Sequence, residues 1–189
     1  MSRNEHWHFA VVITTLMVLG SSPSPVWAES FEYSEDELAY TLNPLHESSM
    51  AETRVNELLF ESLWGPGYEG TPEPRLADAY EIAADQLGMK IFLRENLKWS
   101  DGEAITADDV VFTIKAYQNP RSQSPDRSRL SFVKKATVTG LHSLLVDFAD
   151  PEPNPLEKFF FKILPEHRFE GTVVDPEHDF WSDPTTSGP

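Results

Sequence analysis

No cysteine occurs in the 189 residues. Disulfides, thiolate nucleophiles, cysteine-rich zinc sites and a lipidated N-terminal cysteine are thereby excluded. Basic residues are scarce: 15 Lys and Arg stand against 31 Asp and Glu, a net charge of −16. Gripping a phosphate backbone requires basic patches, so no nucleic-acid partner is expected. Two catalytic signatures are missing, the Gly-x-Ser-x-Gly elbow and the His-Glu-x-x-His zinc motif. The histidines beyond residue 28 are His46, His142, His167 and His178, and no two have metal-ligand spacing. No metal, cofactor or enzymatic activity is therefore expected. Carboxylates are plentiful, but an acid/base pair needs a shared cleft, which spacing alone does not define.

The longest apolar run, Phe9 to Gly20, follows a short start carrying Arg3. It falls short of the about 20 residues that span a bilayer. Pro23 and Pro25 break it, and Val26-Trp27-Ala28 offers tolerated residues at the cleavage positions. Residues 1–28 read as a secretory signal peptide, with an uncleaved anchor as the alternative. Over all 189 residues, 40% hydrophobic and 12% aromatic content suffices for one ordinary domain with a core.

One stretch organises the chain: Lys98-Trp-Ser-Asp-Gly-Glu-Ala-Ile-Thr-Ala-Asp-Asp-Val-Val-Phe-Thr-Ile114. Asp101-Gly102 predicts a tight turn, since Gly accepts positive φ and Asp bonds nearby backbone. Thr106 and Asp109 form a capping box in which Asp replaces the usual Glu or Gln. Ala107, Val110, Val111, Ile114 and Tyr117 recur at helical spacing, and Asn119-Pro120 ends the run. This stretch resembles the signature of the family 5 extracellular solute-binding proteins, the peptide-binding components of bacterial ABC importers. Lys98, Trp99, Ser100, Asp101, Gly102, Thr106, Ala107, Asp109 and Val110 match it. Ala104 stands where relatives usually carry Pro, so a looser turn is expected. Three further segments resemble the family: Leu42-Asn43-Pro44 with Phe60-Glu61-Ser62-Leu63, Arg75-Leu76-Ala77-Asp78, and Thr185-Thr-Ser-Gly-Pro189.

The resemblance implies a mixed α/β fold, the N-terminal part of a two-lobe periplasmic binding protein. Antiparallel hairpins and an inserted subdomain belong to that fold. It divides the chain into a signal peptide (1–28), a first segment of lobe I (29–64), an inserted subdomain (65–184) and the start of a return to lobe I (185–189). Family members are much longer, so the sequence is expected to be an N-terminal fragment lacking the lobe that closes over the ligand. The implied function is capture of di- or oligopeptides in the periplasm for an inner-membrane ABC permease, by a monomer. Nickel, haem, an oligosaccharide or a secreted hydrolase are the alternatives. In relatives the loop after Asn-Pro approaches the ligand, which implies Glu47, Ser48, Ser49 and Met50 as ligand-binding residues here. His46 sits in the same loop.

Locally, Leu38–Leu42 reads as a strand, and Ser49 with Glu52 as the capping box of a helix burying Val55, Leu58 and Leu59, with Leu63 beyond. Gly65-Pro-Gly67-Tyr-Glu-Gly70 fits a dinucleotide fingerprint by letter. It follows a helix, contains Pro66 and carries Glu69, so it reads as a surface loop. Hairpins are predicted over residues 80–93 and 134–148. Asn154 is expected to cap a short helix begun by Pro155, and residues 171–182 show no pattern.

Overall fold

The computed structural model describes residues 38–188. The predicted signal peptide and the acidic segment after it lie outside the described residues. Helix α1 (Met50–Leu59) starts at Ser49 with the expected reciprocal box: the Glu52 N–H donates to Ser49 Oγ at 3.2 Å, and the Glu52 carboxylate accepts the Ser49 N–H at 3.1 Å. Its buried face differs from the expected one. Ala51, Glu52 and Asn56 are buried, whereas Leu58 is 66% exposed. The loop that precedes the helix folds back over that polar side and bonds the Glu52 carboxylate and Asn56 Nδ2, leaving Asn56 Oδ1 without a partner among the described residues, so packing rather than hydropathy decides the orientation.

After α1 the chain forms a small hairpin, β1 (Trp64–Pro66) and β2 (Pro72–Pro74). The glycine-rich letters are its tip and no helix follows them, which removes any phosphate role. A four-stranded antiparallel sheet comes next. It consists of β3 (Ala77–Ile82), β4 (Gly88–Leu93), β5 (Val133–Gly140) and β6 (Ser143–Phe148), in the order β3-β4-β6-β5. Both predicted hairpins are therefore present. Met89, Ile91, Leu93, Leu144, Val146 and Phe148 face inward and are buried, as period-2 alternation demands. Each such side chain contributes about 1.5–3 kcal/mol of hydrophobic stabilisation.

Helix α2 (Ala107–Gln118) covers this face, and all five residues of its predicted apolar stripe are buried. Aromatic rings fill the rest: Tyr117 meets Phe161 at 5.6 Å, and Trp64 meets Phe159 at 6.1 Å. Residues 171–182 are more ordered than their polarity suggests. Phe180 and Trp181 sit in a one-turn helix and pack on Phe169. Residues Leu38–Leu42 form no strand; Leu38 and Tyr40 are 75% and 87% exposed, and no neighbouring strand pairs with them among the described residues. Pro155, not Asn154, occupies the cap position of the turn Leu156–Phe159.

The signature turn is closed despite Ala104. The Trp99 N–H donates to Glu103 O and the Gly102 N–H to Trp99 O, both at 2.9 Å. Gly102 takes φ +95°, which only glycine adopts without strain. Asp109, 3% exposed, ties this turn to α2 and to the far chain. Its Oδ2 accepts the Thr106 N–H at 2.8 Å and Trp99 Nε1–H at 3.4 Å, while Oδ1 accepts the Glu166 N–H at 2.8 Å. Residues 185–188 run beside the turn and the end of α1. Ser100 exchanges bonds with Thr186, and the Ser187 and Gly188 N–H groups both donate to Leu59 O at 3.0 Å. A Cβ at Gly188 would collide with the Leu58 carbonyl, so glycine permits this approach. Among the described residues no helix is long and apolar enough to cross a membrane.

Candidate ligand-binding loop

Asn43-Pro44 opens the loop as a single turn, Pro44–His46, with Asn43 Oδ1 accepting the Leu45 N–H at 3.0 Å. Distant elements fix it. Tyr117 Oη donates to Pro44 O at 3.1 Å, and Ser124 Oγ donates to Leu45 O at 2.7 Å. His46 Nε2 lies 2.7 Å from Ser122 O. That contact makes this nitrogen a donor, so His46 anchors the loop to residues 122–124. No group of three or more His, Asp or Glu side chains suited to a metal ion occurs among the described residues.

Glu52 then sets the path of residues 47–49. Its side chain is buried, 1% exposed, and accepts the N–H groups of Tyr40, Ser48 and Ser49 and the hydroxyl of Ser48 at 2.7–3.2 Å. Burial alone would push its carboxyl up; these four donors outweigh that and hold it below its ordinary 4.5. Ser49 is thus a cap and Ser48 a knot in the loop backbone. Met50 is 64% exposed.

Glu47 is half-buried and points away from this knot. Asn56 Nδ2 donates to its Oε1 at 2.9 Å and Thr53 Oγ1 to its Oε2 at 3.2 Å. Burial raises its carboxyl above 4.5, tempered by these bonds and by the charges of Lys162 and Arg129. Lys162, also half-buried, is pushed down by burial and held up by Glu57, Glu61 and Glu47.

All four residues expected at the ligand line one open cavity of about 320 Å³, with Thr53, Asp126 and Arg129. An adjoining cavity of similar size runs past Glu47 and Arg129 to Glu57, Tyr117 and Lys162. Asp126 and Arg129, paired at 3.3 Å, carry no motif that would single them out in the sequence. Lys162 gave no signal at all, being flanked by apolar residues.

One other polar cluster joins a histidine, a carboxylate and a hydroxyl. His167 Nε2 lies 2.8 Å from Asp101 Oδ2, and Thr185 Oγ1 donates to the same oxygen at 3.2 Å. A nucleophile would have to bond the other histidine nitrogen. Thr185 bonds the carboxylate instead, so the cluster ties residues 185–186 to the signature turn.

Comparison with known proteins gives consistent results. The model of "Bacterial extracellular solute-binding proteins, family 5 Middle" matches residues 71–189. The chain is 31% identical over 141 residues to the periplasmic oligopeptide-binding protein OppA of Salmonella typhimurium, covering 75% of this chain and 24% of that protein. It thus spans about a quarter of the length of that curated relative. Among solved structures, NikZ from Campylobacter jejuni, in complex with Ni(L-His), superposes with TM-score 0.72 at 26% identity, covering 81% of this chain and 30% of NikZ. Bacillus subtilis AppA, an oligopeptide-binding protein solved with a nonapeptide, superposes with TM-score 0.73 at 23% identity, covering 80% and 31%; this likeness bears on the fold alone.

Proposed function

The chain belongs to the family 5 bacterial extracellular solute-binding proteins, and from that premise we propose that it forms the first part of a protein capturing peptides for an ABC importer. The chain serves as a monomer in the periplasm, exported by residues 1–28 and delivering its solute to an inner-membrane permease. It contributes binding rather than catalysis. Residues 29–64 begin lobe I, residues 65–184 form an inserted subdomain, and residues 185–189 begin the return. The periplasmic oligopeptide-binding relatives support this compartment and ligand class. Glu47, Ser48, Ser49 and Met50 are the ligand-binding residues of this wall.

The observation that carries the reading is the convergence of these four residues on one cavity, on a loop whose shape the buried Glu52 fixes. A pre-shaped loop lowers the ordering cost of binding. One wall alone must still offset the ligand's lost translational and rotational freedom. Tight capture therefore needs a second lobe closing by hinge motion. Calorimetry with a peptide mixture tests this on residues 29–189 and on the same residues fused to the later lobe of a family member. We expect no tight binding by the first and submillimolar or better binding by the second. Ser48→Trp and Met50→Trp should weaken it by blocking the cavity. Absence of peptide binding in the fused protein, or loop substitutions without effect, would refute the assignment.

A further inference from the structure

We propose that Glu47 is the specificity-determining residue of this cavity and selects an ammonium or guanidinium group of the ligand. The inference rests on the peptide-binding reading above and names the chemistry that the cavity admits.

Each oxygen of the Glu47 carboxylate has a donor on α1: Asn56 Nδ2 at Oε1, and at Oε2 Thr53 Oγ1, whose single proton is shared with Ser49 O. Asn56 is fully buried and cannot swing away. A carboxylate offers about four lone-pair sites. Two are used from behind, and the rest serve the two cavities that Glu47 lines. The carboxylate is thus pre-positioned and only partly satisfied, the condition under which a ligand cation gains most.

Glu47 and Asp126 place two negative charges on the first cavity, and Arg129 places one positive charge there. Arg129 is paired directly with Asp126, and Glu47 feels Arg129 and Lys162 only as nearby charges, with no ion pair to either. In the adjoining cavity Glu47 and Glu57 are balanced by Arg129 and Lys162, so the acid excess is confined to the first cavity. An anionic ligand group would meet this excess, whereas a cation relieves it. Partial burial of Glu47 strengthens the attraction compared with a fully solvated carboxylate.

Met50 and Pro44 give the cavity apolar flanks beside Ser48 and Ser49. An alkyl stem ending in a cation meets both surfaces, stem on apolar wall and head on Glu47. A lysine or arginine side chain has this form, and a peptide amino terminus shares the head alone.

The test uses the full chain and three small probes followed by amide chemical shifts. N-acetyl-lysine amide presents a side-chain ammonium, alanine amide a terminal ammonium, and N-acetyl-alanine a carboxylate. Both cations should shift the Ser48, Ser49 and Met50 amides saturably, and the carboxylate should not. Tighter binding by the lysine probe identifies a side-chain subsite; tighter binding by alanine amide identifies an amino-terminal one. Glu47→Gln should weaken cation binding about tenfold, the scale of one charge-assisted bond. Arg129→Ala should tighten it, a change that loss of structure would not produce, and this keeps the idea testable if Glu47→Gln folds poorly. Preference for the carboxylate probe, no saturable shift with any probe at decimolar concentration, or weaker binding in Arg129→Ala would each overturn the proposal. None of these outcomes bears on calorimetric peptide capture by the fused protein, which judges the broader reading separately.

Discussion

Asp109→Ala removes the acceptor of three bonds at once, those from the Thr106 N–H, the Glu166 N–H and Trp99 Nε1–H. A bond to a charged acceptor contributes roughly 1.5–3 kcal/mol, and each stranded buried donor costs about 1–3 kcal/mol. Against this, the carboxylate is itself expensive to bury: burial raises its pKa above the ordinary 3.8 in spite of its partners. Deleting it recovers part of that penalty, so the net loss is about 3 kcal/mol rather than the full sum. For a chain of this size 1 kcal/mol moves Tm by roughly 2–4 °C, and the expected fall is therefore about 6–12 °C. Thr106→Ala, which removes only a cap residue, should cost about 1 kcal/mol. Differential scanning calorimetry of both variants decides the matter. Amide exchange at Glu166 should also accelerate in Asp109→Ala and not in Thr106→Ala. If the two variants lose equal stability, or if Glu166 exchange is unchanged, Asp109 is an ordinary cap and its long-range bond contributes nothing.

Glu52→Gln tests the knot beneath the ligand loop by its pH signature. A carboxyl held below its ordinary value contributes stability that is present above 4.5 and lost as pH falls through the lowered value. The variant should lose about 2 kcal/mol at neutral pH, the scale of bonds to a charged acceptor, and its stability should fall less steeply on the acid side; coincident pH–stability curves would contradict this. At the other end of the chain, export from a bacterial host should yield a protein whose N-terminal sequence begins at Glu29. A retained Met1 in the membrane fraction would show an anchor instead.

What the sequence revealed depended on how local each feature was. The signature turn, its capped helix and the buried stripe from Ala107 to Tyr117 were all legible, because turn, cap and periodicity act within a few residues. The Ser49–Glu52 box located α1 for the same reason. Its orientation was not legible: Val55, Leu58, Leu59 and Leu63 looked like the core face, yet the loop bonding Glu52 and Asn56 Nδ2 turned that polar side inward, and of the four only Leu63, beyond the helix, is fully buried. Leu38–Leu42 has strand composition, but a strand exists only with a neighbour to pair its backbone. Ala104 did not loosen the turn, because the closing bonds use Trp99, Gly102 and Glu103. At the site, Glu47 to Met50 came from the resemblance, while Asp126 and Arg129 reach the cavity, and Lys162 the adjoining one, from distant segments of the chain. No spacing rule connects residues so far apart.

The bonds from Ser187 and Gly188 to the Leu59 carbonyl also bear on the order in which the chain can assemble. They join positions separated by more than half the sequence, and closing such a loop in a free chain costs about 4 kcal/mol of entropy. Ordinary backbone bonds at about 1 kcal/mol each cannot meet that cost in advance. Residues 185–188 can dock only after Phe180 and Trp181 have joined the aromatic core and carried the chain most of the way back. We expect the sheet and α2 to consolidate first and the end of α1 to fray before the sheet on heating; faster amide exchange at Ser187 and Gly188 than in β4 would bear this out, and equal exchange would refute it.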